Sequence, residues 1–197
     1  MVSTLTKPEI PITITDLTWR EFKAAEQLID RPGIRLSFLD GLLEIRRMSG
    51  EKHETIKERI GTLLDLYFLQ AGIDYTPTGS MTLESEKGLV KRDADKSYKL
   101  SSGLAQPNLA IEVVVTSGGI DKLAAYKRLG MPEVWFWENG SLAIHYLRIT
   151  DESIKYEQLQ SSEALPSLDI ATLTKCINIS NHVEAVEAFQ QTINSNG

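Results

Sequence analysis

Two carboxylates and a lysine in the middle of this sequence have types and a spacing that could do chemistry. Glu112 lies in the apolar run Ala-Ile-Glu-Val-Val-Val. There an ionised carboxylate costs on the order of several kcal/mol to bury unless it is paired or bound to a metal. Asp95 lies seventeen residues earlier on an extended segment, so both carboxylates could project to the same place. Lys122 follows in the first turn of the next predicted helix, near the strand end where α/β sites are usually built.

These three residue types are the minimal equipment of a metal-dependent nuclease. Two acidic groups can hold a divalent cation such as Mg²⁺ or Mn²⁺ through oxygen ligands. The cation polarises a phosphate and lowers the pKa of a bound water, while a lysine orients that water or steadies the developing charge. Simpler interpretations stay open, namely an ion pair for Glu112, an exposed charged loop for Asp95 and a surface position for Lys122. Asp93 competes with Asp95, because alternate residues of one strand point to the same face.

Hydrophobic periodicity predicts the elements that come before these residues. Thr18 and Glu21 are spaced as a capping box, which predicts a helix from about residue 18 to residue 30. An Asp-Gly pair between two β-prone runs predicts a hairpin over residues 34–46. Apolar residues at three- and four-residue steps then predict a long helix over residues 52–70.

The central part of the chain predicts a mixed sheet. The near-continuous apolar run over residues 109–115 is typical of a strand covered on both faces. A helix over 120–129 and a second buried strand over 134–137 follow it. The expected continuation is two paired strands over 142–148 and 154–159, a loop over 161–175 and a terminal helix over 183–193. This order predicts an α/β (α+β) fold with helices packed on a mixed sheet, not a regular doubly wound array.

Length and composition favour one domain without disulfides. The 197 residues predict a single domain over 15–197, with its core at about 34–160, after an N-terminal extension over 1–14. Cys176 is the one cysteine and cannot form an internal disulfide, which favours a reducing cytoplasm. No apolar run reaches the roughly 18–20 residues of a membrane span, so no membrane partner is expected.

The charge balance is unusual for a protein that binds nucleic acid. The net charge is −6, whereas phosphate binding is carried largely by Lys and Arg. A local basic surface or a bridging metal can nevertheless outweigh the total charge. The charge therefore weakens the expectation of a DNA partner without removing it.

The central motifs resemble those of a nuclease family. The resemblance rests on Asp95, on the run PNLAIEVV ending at Val114, on TSGGIDK ending at Lys122, and on GMPEVW ending at Trp135. These motifs resemble the Uma-type restriction endonucleases, a bacterial group within the PD-(D/E)xK nuclease superfamily. Weaker similarity extends upstream to residues 38–45 and 53–54, so the resemblance covers roughly residues 15–150. Its specific part is the block from the glutamate strand to Trp135.

The resemblance implies a restriction-endonuclease-like fold and Mg²⁺- or Mn²⁺-dependent hydrolysis of DNA phosphodiester bonds. It assigns Asp95 and Glu112 as metal ligands and, together with Lys122, as catalytic residues. Ala94 stands at the proline of the superfamily motif and Val114 at its lysine. In this group the lysine is displaced onto the following helix, where Lys122 lies.

Four further residues are auxiliary candidates for this site: Glu44, His53, Glu54 and Tyr126. Nucleases of this architecture often cut as dimers, so a homodimer is expected. The strand with Trp135 and Trp137 is interpreted as core or as a subunit interface. The alternative function is a nucleic-acid-binding or assembly domain of the same fold with little activity. A third is a metal-dependent hydrolase that acts on a small phosphoester.

Overall fold

The structure is a computed structural model, and it describes residues 11–29, 31–47, 50–114 and 119–195. The elements in chain order are β1 (Ile12–Ile14), α1 (Trp19–Ile29), β2 (Ile34–Leu39), β3 (Leu42–Arg47), α2 (Glu51–Ala71), β4 (Thr76–Pro77), β5 (Thr82–Ser85), β6 (Val90–Asp93), β7 (Lys96–Lys99), β8 (Leu109–Val114), α3 (Lys122–Leu129), β9 (Glu133–Glu138), β10 (Ser141–Ile149), β11 (Ile154–Leu159), α4 (Ile170–Ile177) and α5 (His182–Ser195). None of the helices in these ranges is long and apolar enough to cross a membrane.

The described strands form two sheets. A five-stranded antiparallel sheet has the order β1-β3-β2-β6-β5, and a six-stranded sheet has the order β11-β10-β9-β8-β7-β4. In the second sheet β8 and β9 are parallel and joined through α3, while the other described pairs are antiparallel. The predicted mixed α/β class with an N-terminal helix and hairpin is therefore confirmed.

Strand β8 is buried on both faces, as its composition predicts. Ile111 and Val113 lie in the main core with residues of α2, α4 and α5. On the opposite face, Ala110 packs with Tyr126 of α3. Glu112 lies on this second face, because side chains alternate along a strand and its carboxylate meets Tyr126. The central position of β8 thus forces a carboxylate into the interior.

The chain passes from one sheet to the other between β6 and β7. The bend contains Ala94 and Asp95, both buried. Asp93, the last residue of β6, accepts a hydrogen bond from Thr82 Oγ1 at 2.6 Å. The expectation that Asp93 and Asp95 share one face of one strand is wrong, because the bend puts Asp95 outside both strands.

Two other predictions change with the structure. The expected loop over 161–175 is wrong at its end, because Asp169 caps α4 by accepting hydrogen bonds from Ala171 N and Thr172 N. Strand β9 lies between β8 and β10, and its Trp135 and Trp137 are buried in the core. These tryptophans are therefore core residues.

Glu133 holds the segment that follows β11 against the start of β9. Its fully buried carboxylate accepts hydrogen bonds from Trp135 Nε1 at 2.6 Å and Ser162 Oγ at 2.5 Å. The backbone N–H groups of Glu163 and Ala164 donate to its other oxygen, both at 3.0 Å. Four neutral donors thus compensate for the desolvation of this carboxylate.

Glu133→Ala should lower the free energy of unfolding by about 3 kcal/mol or more, because buried donors lose their acceptor. Urea denaturation measures the change. Glu138→Ala, at the exposed end of the same strand, is the control and should stay within ~0.5 kcal/mol of the parent. Equal losses for the two variants would contradict the anchoring role of Glu133.

Candidate active site

The predicted site residues converge on one small cleft where the two sheets meet. Its volume is about 70 Å³, enough for a few water molecules but not for a nucleotide. The lining side chains come from β2, β3, α2, β6, β8, the bend before β7 and α3: Arg35, Ser37, Glu44, Arg46, Arg47, His53, Arg92, Asp93, Asp95, Glu112, Val113 and Lys122. Both predicted metal ligands and the predicted catalytic lysine therefore belong to one cleft.

Glu112 is held by three side chains. Arg92 donates through Nε to Oε1 at 2.9 Å and through Nη2 to Oε2 at 2.8 Å. Lys122 Nζ donates to Oε2 at 2.8 Å, and the Tyr126 hydroxyl donates to Oε1 at 2.6 Å. A carboxylate offers about four acceptor positions, so this network satisfies Glu112 fully. Lys122 thus brings an ammonium group from α3 to Glu112. Val114, which stands at the lysine of the superfamily motif, has no such group.

The charges around Glu112 control its ionisation. Burial alone would raise the pKa of Glu112, but the charges of Arg92 and Lys122 outweigh burial and hold this pKa well below its usual range. Burial raises the pKa of Tyr126 well above its ordinary value, and the neighbouring Glu112 charge adds to the increase. Glu112 is therefore an anion and Tyr126 a neutral hydrogen-bond donor at neutral pH.

Asp95 is held from three directions. Arg35 Nη1 of β2 donates to Oδ1 at 3.0 Å. At Oδ2, the backbone N–H of Val113 donates at 2.9 Å, and His53 Nε2 of α2 lies at 3.0 Å. Because Asp95 Oδ2 bonds the backbone of the residue after Glu112, the bend before β7 holds the Asp95 carboxylate against β8.

His53 connects Asp95 to a second acid. Its Nδ1 lies 3.2 Å from Glu54 Oε1, while its Nε2 faces Asp95. A carboxylate oxygen at each ring nitrogen favours the doubly protonated imidazole, which donates at both positions. Burial would lower the pKa of His53, but the bonds to Asp95 and Glu54 outweigh burial and raise it. His53 therefore links Glu54 to Asp95 and orients the Asp95 carboxylate.

Glu44 reaches the cleft from the hairpin. It is buried and pairs with Arg46 Nε at 2.6 Å. The backbone N–H of Ile120 donates to its Oε2 at 2.8 Å. Gly119 has a φ of 91°, and a Cβ at this position would collide with the Glu44 carboxylate. The turn before α3 therefore needs glycine to bring its backbone onto Glu44.

The four auxiliary candidates differ in their relation to the site. Tyr126 contacts Glu112 directly, and His53 contacts Asp95 directly. Glu44 lines the cleft. Glu54 does not line the cleft; it contacts His53 and forms an ion pair with Lys57.

Sequence reasoning missed the arginines that compensate the acids. Arg35 and Arg92 lie on different strands of the five-stranded sheet and converge on the cleft only in the folded chain. The alternation of β6 held a signal, because Val90 and Arg92 are buried while the residues between and after them are half-buried. An arginine in phase with a buried valine indicates an internal counter-ion.

The cleft carries more positive than negative side chains. Five Lys and Arg residues and four carboxylates line it. The whole chain, in contrast, has 21 basic and 27 acidic residues. The basic residues of the cleft lie on β2, β3, β6 and α3 and come together only in the folded chain. The sequence therefore did not reveal this local excess of basic residues.

Asp95 and Glu112 are the carboxylates of the cleft that could serve as ligands of a hard divalent cation, Glu112 only after one of its four donors moves away. Among the residues that the structure describes, no group of three or more His, Cys, Asp or Glu side chains is placed to hold a metal. Mg²⁺ typically needs only one or two protein carboxylates, with substrate phosphate and water completing its shell. Asp95 and Glu112 supply two buried carboxylates in one cleft. Oδ1 of Asp95 accepts one hydrogen bond from the described residues and can accept a further ligand.

Comparison with known proteins gives one family. The chain matches the model of the Uma2 family, described as putative restriction endonuclease, over residues 19–179. No curated protein matches the chain at a significant level. The matched span covers most of the chain and includes all seven predicted site residues, and the sheets and helices agree with a restriction-endonuclease-like fold. The resemblance inferred from the motifs is confirmed, and the chain belongs to the Uma2 family of putative restriction endonucleases.

Proposed function

We propose that this protein is a Mg²⁺-dependent endonuclease that hydrolyses DNA phosphodiester bonds. The observation that carries the proposal is the joint presence of Asp95, Glu112 and Lys122 in one small cleft. Membership of the Uma2 family supports the same reaction class. The excess of Lys and Arg in the cleft lining supports a phosphate as the group that enters it.

Asp95 and Glu112 are the residues that would hold the cation. When bound, a divalent cation supplies Lewis-acid stabilisation of the phosphate oxygens and lowers the pKa of a bound water. Mn²⁺ has the same preference for carboxylate and water oxygens and is expected to substitute for Mg²⁺.

Lys122 is assigned a role in charge stabilisation. Its ammonium is held at Glu112 Oε2 at 2.8 Å and is partly exposed, with 16% of its side-chain surface accessible. An ammonium fixed at the edge of the cleft can donate a hydrogen bond to a phosphate oxygen or to the attacking water. The ammonium is therefore already in position to stabilise the negative charge that develops on the phosphate.

The surrounding residues keep Glu112 ionised and hold both acids in place. Arg92 binds Glu112 through two parallel hydrogen bonds, a geometry that fixes orientation as well as charge. Arg35 of β2 holds Oδ1 of Asp95, and His53 of α2 holds Oδ2. Such support limits the reorganisation that the acids need during the reaction.

The alternative is a nucleic-acid-binding domain with little activity. One observation favours it, because Glu112 already accepts four hydrogen bonds from Arg92, Lys122 and Tyr126. A cation must displace one of these donors. Lys122 is the most readily displaced, since it makes one bond to the carboxylate and is more exposed than Arg92.

Lys122→Ala should reduce Mg²⁺-dependent nicking of supercoiled plasmid by roughly 100-fold or more, because a transition-state donor is lost. Lys127→Ala, an exposed lysine of the same helix, is the matched control and should keep the parent rate. Nicking at the parent rate by Lys122→Ala would contradict the assignment of this lysine, and also indicates a contaminating nuclease.

Asp95→Asn should abolish nicking while the protein stays folded, because the amide keeps the shape of the side chain but is a poorer cation ligand. Chelation of divalent ions by EDTA should stop the parent enzyme, and added Mg²⁺ or Mn²⁺ should restore it. Asp93→Asn tests the competing acid, whose carboxylate is bonded to Thr82. Loss of nicking in Asp93→Asn with normal nicking in Asp95→Asn would transfer the role to Asp93. Plasmid binding without nicking by the parent protein would favour the alternative function.

A further inference from the structure

A second and larger cavity lies at the carboxyl ends of the parallel strands β8 and β9. Its volume is about 590 Å³, within the range of roughly 300–1,000 Å³ that small-molecule sites occupy. In α/β sheets, ligands bind preferentially outside the carboxyl ends of the strands. The cavity has the size and the location of a ligand site, and neither Asp95 nor Glu112 lines it.

One wall of the cavity is apolar and contains an aromatic ring. Ile56 of α2, Val113 of β8 and Trp137 of β9 line it. Such a wall suits a flat, weakly polar group, because the ring and the aliphatic side chains supply stacking and dispersion contacts without hydrogen bonds.

Asn178, an exposed residue at the end of α4, offers the cavity an oriented hydrogen-bond acceptor. Asn178 donates through Nδ2 to the carbonyl oxygens of Gly140 at 2.8 Å and Thr174 at 3.0 Å. Both donor positions of the amide are therefore used, and its orientation is set. Its Oδ1 accepts no hydrogen bond from the described residues, so it is a preoriented acceptor for a ligand N–H group.

A buried cation also lines the cavity. Arg59 is 5% exposed and donates to the carbonyl oxygens of Ile177 at 3.0 Å and Ser180 at 2.8 Å. Its Nε has no partner, and no carboxylate of the described residues pairs with it. The charged side chains that line the cavity, Glu51, Lys52 and Arg59, together leave one net positive charge, which favours a negatively charged ligand. The flat wall, the amide acceptor and the cation together match a nucleotide.

The cavity and the catalytic cleft share a wall. Val113 lines both, and its backbone N–H binds Asp95. The two sites thus meet at one residue of β8, so a nucleic-acid strand whose phosphate entered the cleft would have its adjacent base within reach of the cavity. A base that is paired and stacked in a duplex cannot enter such a cavity, so the base must be unpaired or flipped out.

We propose that this cavity binds the unpaired base of the nucleotide next to the scissile phosphate; the inference rests on the proposed function. Ile56 and Trp137 contact the face of the base, and Asn178 accepts a hydrogen bond from its N–H edge. Arg59 lends positive potential to the phosphate side of the cavity. The substrate class is accordingly a single strand, or a duplex with an unpaired position, rather than a perfect duplex.

Binding of labelled oligonucleotides to the full chain tests the proposal, with fluorescence anisotropy measured in Ca²⁺ so that the strand is bound but not turned over. The parent should bind a single-stranded 10-mer roughly 10-fold or more tightly than an abasic strand of equal length. Thr55→Trp places a large side chain at the rim of the cavity and should reduce binding of the 10-mer to the level of the abasic strand. Leu69→Trp, at an exposed position of the same helix that is 71% accessible, should bind as the parent does.

The outcomes distinguish a failure of the proposed base site from a failure of the proposed nuclease function. The abasic strand reports on phosphate binding in the catalytic cleft, and the gain from the bases reports on the cavity. Equal affinity of the parent for the two strands would overturn the base site and leave the nuclease proposal intact. Binding of neither strand would overturn both. Competition by a mononucleotide as strong as that by the 10-mer would assign the cavity to a free nucleotide and overturn the strand-bound base.

Discussion

The rest of the site depends on how the carboxylate of Glu112 is compensated in the interior. Strand β8 is central and buried, so an ionised carboxylate on it needs counter-charges brought from elsewhere. Arg92 comes from the five-stranded sheet, while Lys122 and Tyr126 come from α3. Asp95 repeats the pattern in the bend between the sheets, where Arg35 and His53 meet it. The two acids thus tie both sheets and two helices together at the junction where the cleft forms.

Stability alone does not require such an arrangement. Well-packed apolar residues of similar volume usually stabilise a core as well as buried ion pairs do, whereas loss of one partner leaves an uncompensated charge. Four carboxylates and five Lys and Arg residues around a volume of about 70 Å³ therefore carry a large desolvation cost. A cleft that must bind a phosphate and a cation accounts for this cost, because a preorganised polar environment is what stabilises charge that develops during a reaction.

The sequence predicted the parts of this site that are local and could not predict those that are not. Glu112 was recognisable because a charged residue interrupts an apolar strand. Lys122 was recognisable because it lies at the start of the helix that follows this strand. The arginines were not recognisable, since Arg35 and Arg92 acquire their role only when β2 and β6 pair and the sheets meet. The prediction that Asp93 and Asp95 share a strand face failed for a related reason. Side chains alternate only within a strand, and β6 ends at Asp93, before the bend at Ala94 and Asp95. Helix α4 was missed although Asp169 had the signature of an N-cap.

A net charge of −6 is compatible with the proposed nucleic-acid substrate because of where the charges lie. Long-range repulsion of a polyanion is screened beyond roughly 8–10 Å at physiological ionic strength, whereas charges inside a cleft with low-dielectric walls are screened much less. A protein with a net negative charge gains little affinity for the phosphate backbone of a duplex from long-range attraction. It must then obtain affinity from a few close contacts, and the proposed base cavity beside the cleft supplies contacts of that kind. An acidic chain of this fold is thus better suited to a strand with an accessible base than to an intact duplex.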